Sequence, residues 1–263
     1  LANLLTRVDT TVAGPGWFDP GRNAARMMDL GEWVPEDLDE GWAASWQKAE
    51  TNARQVIDQL LDSYPDITEP RVARDTVAAI PEGGVMAVAS SMPVRDVDWF
   101  ASPRTALRFV SNRGASGIDG FISLAAGAAA VVGKPLVGLV GDLSFLHDTN
   151  GLLIKPTHNL VLVLVNNSGG GIFSFLPQAD YPEHFEQIFG TPSGVDFGGL
   201  SEALGGVHTL VERPDQLQQT IHLALATSGI SIVEVRTDRA RNVEVHRQIT
   251  DEVTRSVESL FES

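Results

Sequence analysis

Leu136-Val137-Gly138-Leu139-Val140-Gly141-Asp142-Leu143-Ser144 and, further on, Leu160-Val161-Leu162-Val163-Leu164-Val165-Asn166-Asn167-Ser168-Gly169-Gly170-Gly171 share one plan: an unbroken apolar run that ends in glycine and polar oxygen. Runs this short that do not alternate with polar residues read as strands buried on both faces, the condition of a parallel sheet. Similar runs stand at Val85–Ala89, Leu107–Val110, Val207–Val211 and Ile230–Val235. Helices are expected between them at Val72–Ala79, Ile118–Val132, His147–Ile154, Leu200–Leu204 and Pro214–Thr227. The predicted fold is therefore α/β, a parallel sheet of about six strands with helices on both faces. Ligands bind beyond the carboxyl ends of such strands, where both polar endings lie.

Upstream, Leu38, Trp42, Trp46, Ala49, Ala53, Val56, Ile57 and Leu60 recur at three- and four-residue steps, which predicts an amphipathic helix from Glu36 to Leu61. Trp42 and Trp46 are expected to pack, and Tyr64-Pro65 closes the helix. Before it, a strand ends at Arg7–Thr10 and gives way to Gly14, Pro15, Gly16, Pro20 and Gly21. The expected organisation is a tail of a central domain at 1–36, a linker helix at 37–66 and the sheet domain at 67–263. Leu1 to Asp9 reads as a strand already under way with no initiator Met, which suggests further residues upstream.

The 263 residues are 43 % hydrophobic and 20 % charged, with a formal net charge of −15. That charge disfavours nucleic acid, whose binding needs clustered Lys and Arg, and an anionic membrane surface for the same reason. There is no cysteine, hence no disulfide and no thiolate metal site. The longest apolar stretch, Phe121–Val132, falls well short of the roughly 20 residues of a membrane-spanning helix, and no secretory signal is visible. Cytoplasm is the expected location.

The two strand endings suggest a metal site. If their strands are neighbours, the Asp142 carboxylate and the Asn167 side-chain carbonyl face each other at the sheet rim, and hard oxygen donors of this kind suit Mg²⁺ or Mn²⁺. The glycines after Asn167 allow a tight turn with a carbonyl, that of Gly169, as a further ligand. Gly141 permits close approach. Ser144 and the N–H groups opening the next helix could meet a diphosphate. The plain alternative is that Asp142 caps a helix and Asn166-Asn167 is a turn. Either half alone would be read that way, but both stand at strand ends with 23 residues between Asp142 and Asn166.

That spacing resembles the signature of thiamine-diphosphate enzymes, Gly-Asp-Gly followed some two dozen residues later by Asn-Asn, with Leu143 in place of the third glycine. Ser111-Asn112-Arg113-Gly114-Ala115-Ser116-Gly117-Ile118-Asp119-Gly120 and Ile172-Phe173-Ser174-Phe175-Leu176-Pro177 narrow the likeness. With Gly141-Asp142-Leu143-Ser144 they are similar to the 2-succinyl-5-enolpyruvyl-6-hydroxy-3-cyclohexene-1-carboxylate synthases, a thiamine-diphosphate family of menaquinone biosynthesis in which the leucine is itself usual. The match runs from about Val85 to Leu176.

The resemblance implies a transferase reaction in which 2-oxoglutarate is decarboxylated and the resulting carbanion adds to isochorismate, with thiamine diphosphate and Mg²⁺ (or Mn²⁺) as cofactors. It assigns Asp142, Asn167 and the Gly169 carbonyl to the metal, Gly141 and Ser144 to the diphosphate, and Ile118 to an apolar wedge that bends the cofactor. Arg95 and Arg113 would hold substrate carboxylates, Ser91 would line the same pocket, and Ile172, Phe173 and Leu176 would form its apolar wall beside cofactor and substrate. Ile118, Arg95 and Arg113 are thus the expected catalytic group. The family's activating glutamate lies on an N-terminal pyrimidine-binding domain, and Glu82, Glu183 and Glu234 do not match its context. The chain alone is accordingly expected to be inactive without that domain, supplied across the interface of a dimer or tetramer. Rival readings are an acetolactate-synthase-like decarboxylase or carboligase, and a non-catalytic diphosphate-binding module. The six histidines show no metal-ligand spacing and read as structural or surface groups.

Overall fold

A computed structural model describes residues 10–13, 24–32, 40–112, 117–155 and 158–261. The chain divides into two compact units, residues 1–50 and 51–263, with the division inside a helix. In the first, β1 (Thr10–Ala13) and β2 (Ala24–Met28) form a parallel pair. Of the strand expected to end at Arg7–Thr10, residues 7–9 lie outside the described residues. The long helix α1 (Glu40–Ser63) ends one residue before Tyr64-Pro65, as proline requires. Trp42 and Trp46, one helical turn apart, pack on each other edge to face at 6.0 Å and are otherwise 58 % and 59 % exposed.

The second unit holds the sheet. Its strands are β3 (Val85–Val88), β4 (Arg108–Val110), β5 (Leu136–Gly141), β6 (Leu160–Asn166), β7 (Val207–Val211) and β8 (Ile230–Arg236). All pair in parallel, in the order β4-β3-β5-β6-β8-β7. The six apolar residues of β6 are buried and alternate between two cores: Leu160, Leu162 and Leu164 on one face, Val161, Val163 and Val165 on the other. This explains why the run lacks polar alternation. The valine face is covered by α2 (Glu69–Ala79) through Val72 and Val77. The leucine face is covered by α4 (Phe121–Val132), which comes after α3 (Met92–Phe100), through Phe121 and Ile122. A Cβ at Gly138 would stand 2.8 Å from Leu162 Cδ2 and 3.5 Å from the Phe121 ring, so the leucine side chain packs into the space the glycine leaves.

Four expected helices are redrawn in the structure. Ile118 is not helical, because Gly120 takes a left-handed φ of 72° and α4 starts only at Phe121. The span expected at His147–Ile154 is instead α5 (Asp142–His147) followed by a 3₁₀ turn, Thr149–Leu153. The Asp148 carboxylate between them is drawn to α4, accepting from Ser123 N at 2.7 Å and Ser123 Oγ at 3.0 Å, a helix cap supplied from a distance. The span expected at Leu200–Leu204 is α6 (Phe197–Ala203), opened by Asp196, whose side chain accepts from Gly198 N at 3.1 Å. The Pro214–Thr227 span becomes a 3₁₀ turn and α7 (Leu217–Leu225).

Two helices of nine residues or more have no counterpart among those expected from periodicity, α3 and α8 (Arg239–Ser259). Each carried a local signal. Pro93 is tolerated in a first helical turn, and Asp238 is an N-cap whose side chain accepts from Arg241 N at 2.7 Å. Among the described residues no helix is long and apolar enough to cross a membrane.

Candidate functional site

From β3 the chain steps outward to β4 and then returns across β3 to β5, so the strand order reverses between β3 and β5. Parallel sheets open a crevice at the carboxyl ends of the strands beside such a reversal. A cavity of about 60 Å³ occupies it, lined by Ser91 after β3, Gly141 and Asp142 at the end of β5, Asn167 and Gly169 after β6, and Ile118. Residues from four separated stretches of sequence therefore meet at one point.

Asp142 is 2 % exposed and opens α5. Its Oδ1 accepts from Leu143 N at 2.8 Å and its Oδ2 from Gly169 N at 2.7 Å. Burial raises the carboxyl to about 6, against the pull of those two N–H groups and of the Arg239 charge. Each carboxylate oxygen keeps a second lone pair. Asn167 is buried too; its Nδ2 donates to Glu69 Oε1 at 2.8 Å, while its Oδ1 has no hydrogen-bond partner. Gly169 has φ 133°, a backbone shape suited to glycine, and its carbonyl accepts from Gly171 N at 2.9 Å. A Cβ at Gly141, by contrast, would meet no atom within 4 Å. Nothing in the chain's own packing demands a glycine there.

Ser91 adopts φ 73° and ψ −134°, a strained backbone for a side-chain-bearing residue. Arg95 Nη1 donates to the Ser91 carbonyl at 2.6 Å. Ser144 Oγ donates to the Ile118 carbonyl at 2.9 Å, so the serine expected to meet a diphosphate also holds the turn that carries the wedge candidate. Ile118 is half-buried at the cavity.

The structure gathers Ser91, Ile118, Gly141, Asp142, Ser144, Asn167 and Gly169 around the cavity. It does not bring in Arg95, Ile172, Phe173 or Leu176. Arg95 is exposed, and its guanidinium is folded back on α3. Ile172 and Phe173 stand on the 3₁₀ turn Gly171–Phe175, where Phe173 packs on Phe189 with ring centroids 5.2 Å apart, and Leu176 is 40 % exposed. Arg113 lies outside the described residues.

The sequence reading missed an acidic group at the back of the cavity. Glu69 and Asp96, 3 % and 2 % exposed, both line it. Glu69 Oε1 accepts from Asn167 Nδ2 and, at 3.0 Å, from Thr237 Oγ1; burial and the nearby Asp96 charge raise its carboxyl to about 7. Asp96 Oδ1 stands 2.8 Å from His246 Nε2, and His246 Nδ1 is 2.8 Å from the Asn242 carbonyl. Since that carbonyl can only accept, Nδ1 carries a proton, and the Asp96–His246 contact must hold a second one. The only signal in the sequence was a Glu before Pro70 at a helix start, which commonly marks an exposed first turn.

These oxygens fit a hard divalent cation. Among the described residues no cluster of three or more His, Asp or Glu side chains could hold a metal ion, so an ion here would rely on carboxylate, amide and backbone oxygens and on its ligand's own oxygens. The unpartnered buried Oδ1 of Asn167 is such a donor, since a buried acceptor left without a partner is costly unless something else satisfies it. The free space at Gly141 leaves room for a ligand beside it.

The fold is that of the C-terminal cofactor-binding domain of thiamine-diphosphate enzymes. Residues 90–235 match the family model described as thiamine pyrophosphate enzyme, C-terminal TPP binding domain, and the chain belongs to that family. In particular, it is similar to 2-succinyl-5-enolpyruvyl-6-hydroxy-3-cyclohexene-1-carboxylate synthases. It is 46 % identical to that of Thermobifida fusca (strain YX), over 91 % of this chain and 44 % of that protein. With that of Geobacillus kaustophilus (strain HTA426) the identity is 38 %, over 94 % and 45 %. The chain thus spans less than half the length of these curated relatives. Among solved structures, benzoylformate decarboxylase from Polynucleobacter necessarius shares the fold, with a TM-score of 0.51 and 22 % identity over 64 % of this chain and 32 % of that one.

Proposed function

We propose that this chain is the metal- and diphosphate-holding part of a thiamine-diphosphate-dependent synthase that decarboxylates 2-oxoglutarate and joins the resulting carbanion to isochorismate. The observation that carries the reading is the buried, unpartnered Oδ1 of Asn167 in one cavity with the Asp142 carboxylate, at the ends of adjacent parallel strands. The similarity to the synthases named above supports the choice of reaction.

When bound, the cofactor would supply an electron sink for loss of CO₂. Asp142, Asn167 and the Gly169 carbonyl would hold Mg²⁺ or Mn²⁺, with Gly141 leaving room for the diphosphate and Ser144 within its reach. Ile118, a stiff β-branched side chain half-buried at the cavity, suits the wedge role. Arg95 and Arg113 would bind the substrate carboxylates, which fit a guanidinium fork bidentately. For Arg95 this requires exchange of its bond to the Ser91 carbonyl for a substrate oxygen. Ile172, Phe173 and Leu176 would close the apolar side of the pocket once substrate is present.

The cavity's own glutamate, Glu69, is bonded to Asn167 and Thr237. The glutamate that activates the pyrimidine ring would therefore come from a pyrimidine-binding domain, and a dimer or tetramer in the cytoplasm is the assembly this reading favours.

Calorimetric titration of thiamine diphosphate with Mg²⁺ tests the site. Binding by the wild type that is lost in Asp142→Ala supports it, and equal binding by both proteins overturns it. A protein carrying the pyrimidine-binding domain should then consume 2-oxoglutarate in preference to pyruvate. The reverse preference would point to the acetolactate-synthase-like alternative.

A further inference from the structure

We propose that Glu69 is a positioning residue for the metal-binding amide of Asn167, holding Nδ2 so that Oδ1 is presented to the cavity. The inference rests on the cofactor reading above and adds to it a residue from another helix.

An asparagine side chain is nearly symmetric in shape, and its two ends differ only in which can donate and which can accept. A cation needs the oxygen. Left to itself, the amide could turn its NH₂ group toward the metal, which it would repel. Glu69 removes that freedom: its Oε1 accepts whether the group is ionised or, as the carbonyl oxygen, neutral, so the amide end facing it at 2.8 Å is Nδ2. The reversed amide would set oxygen against oxygen.

The carboxylate is itself fixed. Thr237 Oγ1, just past β8, donates to the same Oε1 at 3.0 Å, and Glu69 is 3 % exposed in the first turn of α2, where the helix dipole favours an acidic group. A buried carboxylate costs desolvation, which an exposed first-turn acid would avoid. Its position is explained by what it faces: Asn167, whose other polar atom is buried and unpartnered, in a cavity that Glu69, Asn167 and Asp142 all line.

The test compares wild type with Glu69→Met, which keeps length and bulk but loses the acceptor, and Glu69→Gln, whose Oε1 can still accept. Mg²⁺ is titrated at saturating thiamine diphosphate, and the side-chain amide signals of Asn167 are followed by ¹⁵N NMR without ligand. The expected result is Mg²⁺ affinity weakened about 10- to 100-fold in Glu69→Met and restored to within about threefold of wild type in Glu69→Gln. The Asn167 amide signals should move to solvent-like positions in Glu69→Met alone. A lower melting temperature in Glu69→Met with unchanged Mg²⁺ affinity and unchanged amide signals would make Glu69 merely structural and overturn the proposal. If no protein binds Mg²⁺ with the cofactor, the cofactor reading fails and the positioning role for a metal fails with it. The NMR comparison then reports whether Glu69 still orients the amide.

Discussion

The Oδ2 atom of Asp142 accepts a 2.7 Å hydrogen bond from the backbone N–H of Gly169, and this contact ties the end of β5 to the turn after β6. The same turn is held from its other side, where Gly170 N donates to the Gly190 carbonyl at 2.8 Å. Arg239, whose charge reaches Asp142, forms a 2.7 Å ion pair with Glu186, at the start of the turn that ends at Gly190. Side chains and backbone far apart in sequence thus shape the metal candidate site before any ligand arrives.

Asp142→Asn should destabilise the chain by about 1–3 kcal/mol, although the residue changes little in size. Both carboxylate oxygens accept N–H bonds, and an amide offers one acceptor, so its NH₂ group would face the N–H of either Leu143 or Gly169. Chemical denaturation without cofactor measures this. A midpoint equal to that of the wild type would show that one of the two bonds is dispensable.

Gly141→Ala should leave the fold almost untouched, within about 0.5 kcal/mol, yet impair cofactor binding. The residue's φ of −81° suits any amino acid, and a Cβ there would meet no atom of the chain. Melting temperature and titration with thiamine diphosphate and Mg²⁺ read the two effects separately. Unaltered affinity would mean that the space beside Gly141 is not used by the ligand.

Gly169→Ala should be severe, about 2–5 kcal/mol, because two costs add: a φ of 133° that an L side chain resists, and a Cβ placed 1.8 Å from the Gly190 carbonyl oxygen. The turn must open to relieve the clash, which also breaks the bond to Asp142. The drop in denaturation midpoint should exceed that of Gly141→Ala several-fold, and similar values for the two variants would contradict this account.

The Asp96–His246 pair should make stability fall as pH rises. Burial disfavours the charged imidazole, but the hydrogen bond to Asp96 and its charge outweigh this and raise His246 above 6.5. Burial raises Asp96 as well, against the pull of His246 and Arg95, and Glu69 faces both residues from α2. A histidine with a raised folded value contributes stability that is complete below 6.5 and lost as pH climbs through the folded value; the Asp96 shift has the same sign. Denaturation midpoints measured from pH 6 to 8.5 should decline, and the decline should be shallower in His246→Gln. Parallel slopes for the two proteins would exclude the pair as the source.

Much of the architecture was legible from local pattern. The apolar runs predicted all six strands of the sheet to within a residue at each end, because a strand buried on both faces leaves an uninterrupted hydrophobic signature. The Asp142 and Asn167 endings were legible for a related reason: parallel pairing of β5 with β6 carries whatever follows each strand to one edge. Helix ends were less legible. The start of α4 depends on the left-handed Gly120 and on Asp148, 25 positions away from the Ser123 it caps.

By itself, the amino-acid sequence determined the fold class, the edge of the sheet at which the candidate site lies and the oxygen donors offered there, since each follows from short-range periodicity and from which residues end a strand. Only the tertiary structure decided that Glu69 meets the Asn167 amide across 98 positions and that Asp96 shares a proton with His246 across 150. The physical reason is that a buried polar group must find its partner in three dimensions, and no residue's own neighbours in the chain reveal which distant group will be buried against it.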